Sequence, residues 1–152
     1  MKPTYFIFFT LLAFFSCDNE RLYEKNVDFD KRIWLEDSAV QLNFVIPQND
    51  LGYDLYFNVR NTNTYPYHNL YIRYELADST GKLLTEDLVN YFLFHEKTGE
   101  PYGAGLGDIF SHQFLLIDDY EFPYTGPYQM KIRQFMRQDS LKGIISAGLR
   151  VE

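Results

Sequence analysis

The chain has 152 residues, of which 46% are hydrophobic, 18% aromatic and 23% charged, enough for one domain around one core. Its 13 Tyr and 14 Phe carry far more apolar surface than a disordered chain does, and its formal net charge of −7 opposes contact with polyanions, because nucleic-acid binding requires clustered Lys and Arg to replace phosphate counterions. A multidomain protein, a disordered chain and a nucleic-acid-binding protein are thereby excluded.

The amino terminus carries an address. Met1, Lys2 and Pro3 precede an apolar run from Tyr5 to Phe15, and Ser16-Cys17 is followed abruptly by Asp18-Asn19-Glu20-Arg21, which is the layout of a secretory signal. A helix over that run would measure roughly 16 Å, about half of the ~30 Å hydrocarbon core, too short to cross a bilayer comfortably. Cys17 is the single cysteine, so it has no disulfide partner within the chain. A lone thiol is commonly a buried small hydrophobe, but a small residue and a Cys directly after an apolar segment resemble a bacterial lipobox. Phe14 and Phe15 stand where the best-known lipoboxes carry Leu, Ala or Gly. Residues 1–16 are therefore expected to be a lipoprotein signal peptide, with Cys17 the acylated first residue of the mature chain. Removal of 1–16 takes away Lys2 and no acid, so the mature chain is more acidic still. Its hold on a membrane would come from acyl chains, at about 0.8 kcal/mol per buried CH₂, and not from charge.

Residues 17–32 lack clear periodicity and are expected to form a lipidated tether, with the domain over 33–152 and Trp34 packing the incoming segment onto it. From there the dominant period is two. Val40, Leu42, Phe44 and Ile46 share one face before the turn residues 47–50; Tyr53, Leu55, Phe57 and Val59 share the next before the cluster 61–64; Leu70, Ile72, Tyr74 and Leu76 share a third before 78–81. Residues 88–94 are rich in strand formers, while 83–86 favour a helix by composition. A loop is expected over 99–107, strands over 109–117 and 128–133, a short helix over 135–141, and a last strand over 144–151 broken by Gly148. The whole predicts an all-β, two-layer antiparallel β-sandwich, immunoglobulin-like or jelly-roll-like, with a core including Leu42, Phe44, Leu55, Phe57, Leu70, Ile72, Met130, Ile132 and Leu149.

Catalytic patterns are not found. His68, His95 and His112 lack the spacing of a helix-borne zinc site, no Gly-x-Ser-x-Gly elbow is present, and the many carboxylate pairs are those that an acidic surface produces by chance. No metal, cofactor or catalytic residue is expected. Gly103, Gly105, Gly107 and Asp108 resemble a phosphate loop in composition, but the following residues look extended where a dinucleotide fingerprint needs a helix. These glycines instead suit a tight loop open to a partner's backbone. Tyr65-Pro66-Tyr67 occupies another loop, with Tyr53, Tyr56, Tyr71 and Tyr74 on the flanking strands, so several rings could meet at one edge and contact protein or sugar.

The run Tyr53-Asp54-Leu55-Tyr56-Phe57-Asn58-Val59-Arg60-Asn61, with Tyr65-Pro66-Tyr67 and Asn69-Leu70-Tyr71, resembles the GldH family of gliding-motility-associated lipoproteins of Bacteroidetes. Gly103-Ala104-Gly105-Leu106-Gly107-Asp108-Ile109, Gln134-Phe135-Met136-Arg137 and Gly148-Leu149-Arg150 agree with it. The resemblance implies a non-enzymatic cell-envelope lipoprotein linked to the machinery of surface gliding, an adaptor or scaffold whose partners are the membrane, through a covalent lipid anchor, and other envelope proteins. A surface carbohydrate-binding module using the Tyr cluster is the alternative. Tyr65, Tyr67, Gly103, Gly105, Gly107 and Asp108 are the expected partner contacts. Acidic Asp18-Asn19-Glu20 after Cys17 favours the outer over the inner membrane.

Replacing the acylated sulfur tests the anchor: Cys17→Ser is expected to move the protein from the detergent phase to the aqueous phase on Triton X-114 partition and to abolish lipid mass on the mature N-terminus. Unchanged partition would remove Cys17 from that role.

Overall fold

The computed structural model describes residues 21–152, so the expected signal peptide and Cys17 lie outside the described residues. The elements in chain order are β1 (Tyr23–Asp28), a 3-10 turn (Asp30–Arg32), β2 (Ile33–Leu35), β3 (Val40–Ile46), β4 (Gly52–Thr62), β5 (Asn69–Asp78), β6 (Leu83–Phe92), β7 (Ala104–Leu106), β8 (Ile109–Glu121), β9 (Gly126–Gln134), β10 (Ser140–Lys142) and β11 (Ile144–Val151). No α-helix occurs among the described residues.

Two antiparallel sheets pack face to face. One runs β1-β11-β4-β8-β7, the other β3-β9-β5-β6, and β2 pairs with β10 in a small separate ribbon. Setting β7 aside, each layer has four long strands, and the chain changes layer at every step except the β5–β6 hairpin. This is jelly-roll order, which resolves the two sandwich topologies left open by the sequence.

The period-two pattern explains the layers. Val40, Leu42, Phe44 and Ile46 of β3 are buried while Gln41, Asn43 and Val45 between them are exposed. Leu55 and Phe57 of β4, Leu70 and Ile72 of β5, Met130 and Ile132 of β9 and Leu149 of β11 are all at 0% exposure, as the alternation predicts. Aromatic rings fill the space between the sheets. Phe122 packs on Tyr128, Tyr120, Tyr53 and Phe44 at ring separations of 4.6, 4.8, 5.7 and 5.9 Å, and Tyr91 of β6 lies flat on Phe114 of β8 at 4.4 Å.

The register defines two ends. Tyr23 opposes Val151, Gly52 opposes Glu121 and Ile46 opposes Gly126, so the start of β1 shares an end with the β3–β4, β5–β6 and β8–β9 connections. We call it the anchor end. There Asp78 Oδ1 accepts hydrogen bonds from the Thr80 hydroxyl at 2.6 Å and the Thr80 and Lys82 N–H groups at 2.8 and 3.0 Å, which closes the β5–β6 turn. Those donors, the Thr80 hydroxyl foremost and then the Tyr124 phenol, hold its carboxyl down at about 2. The β4–β5, β6–β8 and β9–β11 connections gather at the opposite, distal end.

Four expectations are corrected and one open boundary, at 83–86, is settled. The folded domain begins before residue 33, because β1, inside the expected tether, pairs with β11 from Tyr23↔Val151 to Asp28↔Ser146. Residues 83–86 extend β6, since pairing with β5 along Asn69–Ala77 outweighs their helix propensity. No helix forms over 135–141: the buried Gln134 amide donates to Gln138 O at 2.7 Å and accepts from Met136 N–H at 2.8 Å, shaping a turn that leads into β10. The expected loop 99–107 contains the edge strand β7, while Gly148 leaves β11 unbroken. Trp34 is the anchor the sequence suggests, at 0% exposure, stacked on Phe29 at 4.9 Å and donating from Nε1 to Ser38 O at 2.9 Å.

Adjacent positions on β3 test the register. Phe44→Ala is expected to cost about 3–5 kcal/mol in urea denaturation and Val45→Ala no more than about 0.5 kcal/mol. Equal losses would mean that the two side chains do not face opposite sides of the sheet.

Candidate functional site

The distal end brings the two sequence-predicted loops together. The β4–β5 connection is bonded to the β7–β8 turn through Asn63 N–H and Asp108 O at 2.9 Å, and to the segment after β6 through His68 O, which accepts from Leu93 and Phe94 N–H at 2.8 and 3.0 Å. Between them lies an open cleft of about 310 Å³, lined by Asn63, Pro66, Tyr67, Phe94, His95 and Phe110 among others. Tyr67, Gly105 and Asp108 thus belong to one end of the sandwich although they are distant in sequence.

Tyr65 is not an exposed anchor. It is 5% exposed, its phenol donates to Asn69 O at 2.7 Å, and burial pushes that phenol's pKa up. Its ring supports Tyr67 edge-on at 5.8 Å; both rings line the cleft, and Tyr67 is the half-buried, more accessible one. Tyr53 and Tyr74 are buried as well, so the ring cluster suggested by the sequence is largely core.

The glycines serve three different needs. At Gly103 a Cβ would collide with the Ser111 carbonyl oxygen and the His112 ring, and at Gly105 with the Phe110 ring, so both allow β7 to cross close over β8. Gly107 alone has the left-handed backbone, with φ +66°, that turns the hairpin. Leu106 between them is 91% exposed. The sequence reading passed over this residue, although an apolar side chain flanked by two turn glycines has no sheet face on which to bury itself.

Beneath β7 lies a buried polar pair that the sequence reading also missed. His112 Nε2 and Asn61 Oδ1 are 2.9 Å apart, and Asn61 Nδ2 donates to Thr62 O at 3.0 Å. Asn61 continues the inward face of Tyr53, Leu55, Phe57 and Val59, a signal obscured by its place in a turn-like run. Burial pushes the His112 imidazole down from 6.5 to about 4, so it is neutral at physiological pH. Asn61 satisfies it in the interior of the fold. His95, whose ring lies tilted against Tyr102 at 3.8 Å, is elsewhere on the surface of this end. No group of His, Cys, Asp or Glu able to hold a metal occurs among the described residues.

Comparison with known proteins gives a family. The model of the GldH lipoprotein family matches residues 21–151. The Gliding motility lipoprotein GldH homolog of Christiangramia forsetii is 32% identical over 155 residues, covering 97% of this chain and 93% of that protein. The Gliding motility lipoprotein GldH of Flavobacterium johnsoniae is 25% identical over 159 residues, covering 100% of this chain and 97% of that protein. Among solved structures, the infectious bursal disease virus VP2 subviral particle overlays with a TM-score of 0.38 at 12% identity over 85% of this chain, which spans only 29% of that one; the likeness is too distant to bear on function.

The neutral His112 sets a pH dependence. Its native pKa lies below the unfolded value, so the stability it contributes is complete above pH 6.5 and is lost as pH falls toward 4. At about 1.4 kcal/mol per unit, wild type is expected to lose about 2–3 kcal/mol through this group between pH 7 and 4.5, a loss absent from His112→Gln. Urea titrations of both proteins at the two pH values measure it, and parallel losses would contradict it.

Proposed function

The chain belongs to the GldH lipoprotein family, and from that premise we propose that it is a non-enzymatic, acyl-anchored lipoprotein of the cell envelope that serves as an adaptor for surface gliding machinery. Cys17 supplies the anchor, in the outer membrane in preference to the inner. The distal end, with Tyr67, Leu106 and the hairpin of Gly103, Gly105, Gly107 and Asp108, receives an envelope partner, and Tyr65 supports it from below.

The observation that carries this reading is the polarity of the sandwich. β1 starts at Tyr23, and residues 18–22 can span at most about 18 Å, so acylation at Cys17 would hold the anchor end against the headgroups. The strands then carry the distal end roughly 30 Å farther out, as follows from the 9 residues of β9 and the 11 of β4 at about 3.3 Å each. The exposed Leu106 stands at that end, on a hairpin braced by β8 and by the Asn63–Asp108 bond. Rigid β scaffolds commonly present recognition loops in this way. The carbohydrate-binding alternative loses support, because Tyr53, Tyr65 and Tyr74 are buried and cannot offer their faces to a sugar.

A photoreactive amino acid placed at Leu106, or at Leu51 on the anchor end, tests the reading in the native host. The expected result is a discrete protein crosslink from position 106 and lipid or no protein from position 51. Protein crosslinks from 51 alone would reverse the orientation and overturn the proposal.

A further inference from the structure

The outer face of the β3-β9-β5-β6 sheet should be polar, because its inner face already supplies the core. Over its distal half, large apolar side chains stand among polar Asn69 and Asn90. An open groove of about 440 Å³ runs between Tyr67, Tyr71, Leu88, Phe135, Met136 and Arg137. Its apolar side chains are well presented to solvent: Leu88 is 46% exposed, Tyr71 40% and Phe135 52%. Phe92, opposite Asn69 on β6 and 48% exposed, continues the same face toward the distal end. The groove is held in shape from beneath. Phe135 N–H donates to Tyr71 O at 2.8 Å and Tyr71 N–H to the Met136 sulfur at 3.3 Å, so the turn after β9 is fastened to the start of β5 and forms one wall.

Charge identifies the occupant. Arg73, opposite Leu88 on this face, is engaged with Glu86. Arg137, at the groove, is exposed and has no acidic partner among the described residues, in a chain whose net charge is −7. An open guanidinium beside an apolar trough complements a ligand that combines a large apolar side chain with a carboxylate. Met136 adds an adaptable wall of the kind found on surfaces that accept varied side chains. Tyr67 lines both this groove and the distal cleft, so the two form one continuous surface. The membrane that would hold the anchor end lies at the other end of the strands and cannot reach it.

We infer that this groove is the docking site for an extended segment of a partner protein, in which an aromatic or large aliphatic residue enters between Tyr71, Leu88 and Phe135 while a neighbouring Asp or Glu pairs with Arg137. The inference rests on the adaptor reading above and names the chemistry of the partner.

The test presents the full-length acylated protein, in lipid nanodiscs, to a phage library of random linear peptides, and measures the affinity of the enriched peptides by fluorescence anisotropy. Enriched peptides are expected to share a large apolar residue within a few positions of Asp or Glu. They should bind at least roughly tenfold more weakly to Arg137→Glu and to Leu88→Asp, both surface substitutions whose melting temperatures are expected to match wild type. Changing the peptide's acid to its amide should weaken binding to wild type and leave binding to Arg137→Glu unaffected. No enrichment, enrichment of peptides lacking the acid, or indifference to Arg137→Glu would each overturn the inference. So would a wild-type dimer that Leu88→Asp dissolves, which would give the groove to a second copy, or groove-dependent binding of protein-free phosphatidylethanolamine vesicles, which would give it to lipid. Failure here with the Leu106 crosslink intact removes the groove alone; loss of that crosslink with peptide binding intact removes the distal-end adaptor reading alone.

Discussion

The fold depends on one pairing more than any other, that of its first and last strands. β11 occupies the slot between β1 and β4, with both neighbours antiparallel to it, and six of its eight residues are buried. Until it arrives, β1 has no partner within its sheet, and β4 has only β8. The ladder from Tyr23↔Val151 to Asp28↔Ser146 therefore closes the sheet with the two most distant parts of the described chain. Contacts of such sequence separation incur a large loop-closure entropy before they return any stabilisation, which places the molecule among topologies that fold slowly.

The abundance of aromatic residues has the same root. A sandwich interior is a slab about 10 Å thick, and rings fill it with fewer side chains than aliphatic residues would need. Tyrosine adds something that phenylalanine cannot. The phenols of Tyr53, Tyr65, Tyr91 and Tyr128 donate to the backbone carbonyls of Gln48, Asn69, Leu115 and Tyr124, at 2.9, 2.7, 2.8 and 2.6 Å. Each ring lies in or against the slab while its hydroxyl reaches a backbone carbonyl, so the connections at Gln48 and Tyr124, the start of β5 and strand β8 are fastened to the core. A composition rich in Tyr thus describes how the core holds its edges, and only secondarily what the surface can bind.

That distinction marks the limit of what was legible in the sequence. Alternation revealed β3, β4, β5 and β9 and the core residues on them, because a buried face imposes a period of two that nothing else mimics over seven or more residues. It could not reveal β1, whose burial pattern is mostly exposed because it lies at a sheet edge. It left 83–86 undecided for a similar reason, since β6 is also an edge and its residues answer to pairing with β5 more than to burial. The family was recognisable from motifs, yet the closeness of the two distal loops and the separate tasks of Tyr65 and Tyr67 were not, because burial of a loop residue depends on what the rest of the chain lays over it. The groove was invisible for a further reason: Tyr71, Leu88 and Phe135 come from three separate elements, and only the β5–β6 register and the turn after β9 bring them side by side.

The edge position of β1 has a mechanical consequence. A protein held by its amino terminus and gripped at the far end of its strands is loaded along the strand axis. The ladder joining β1 to β11 runs parallel to that line, so its hydrogen bonds would share the load in shear, all resisting together. Had β1 entered from the distal end, the same pull would peel the bonds apart one at a time, like a zipper, at far lower force. With its first strand entering from the anchor end, the chain would carry tension in shear if it were held at Cys17 and gripped at the distal end.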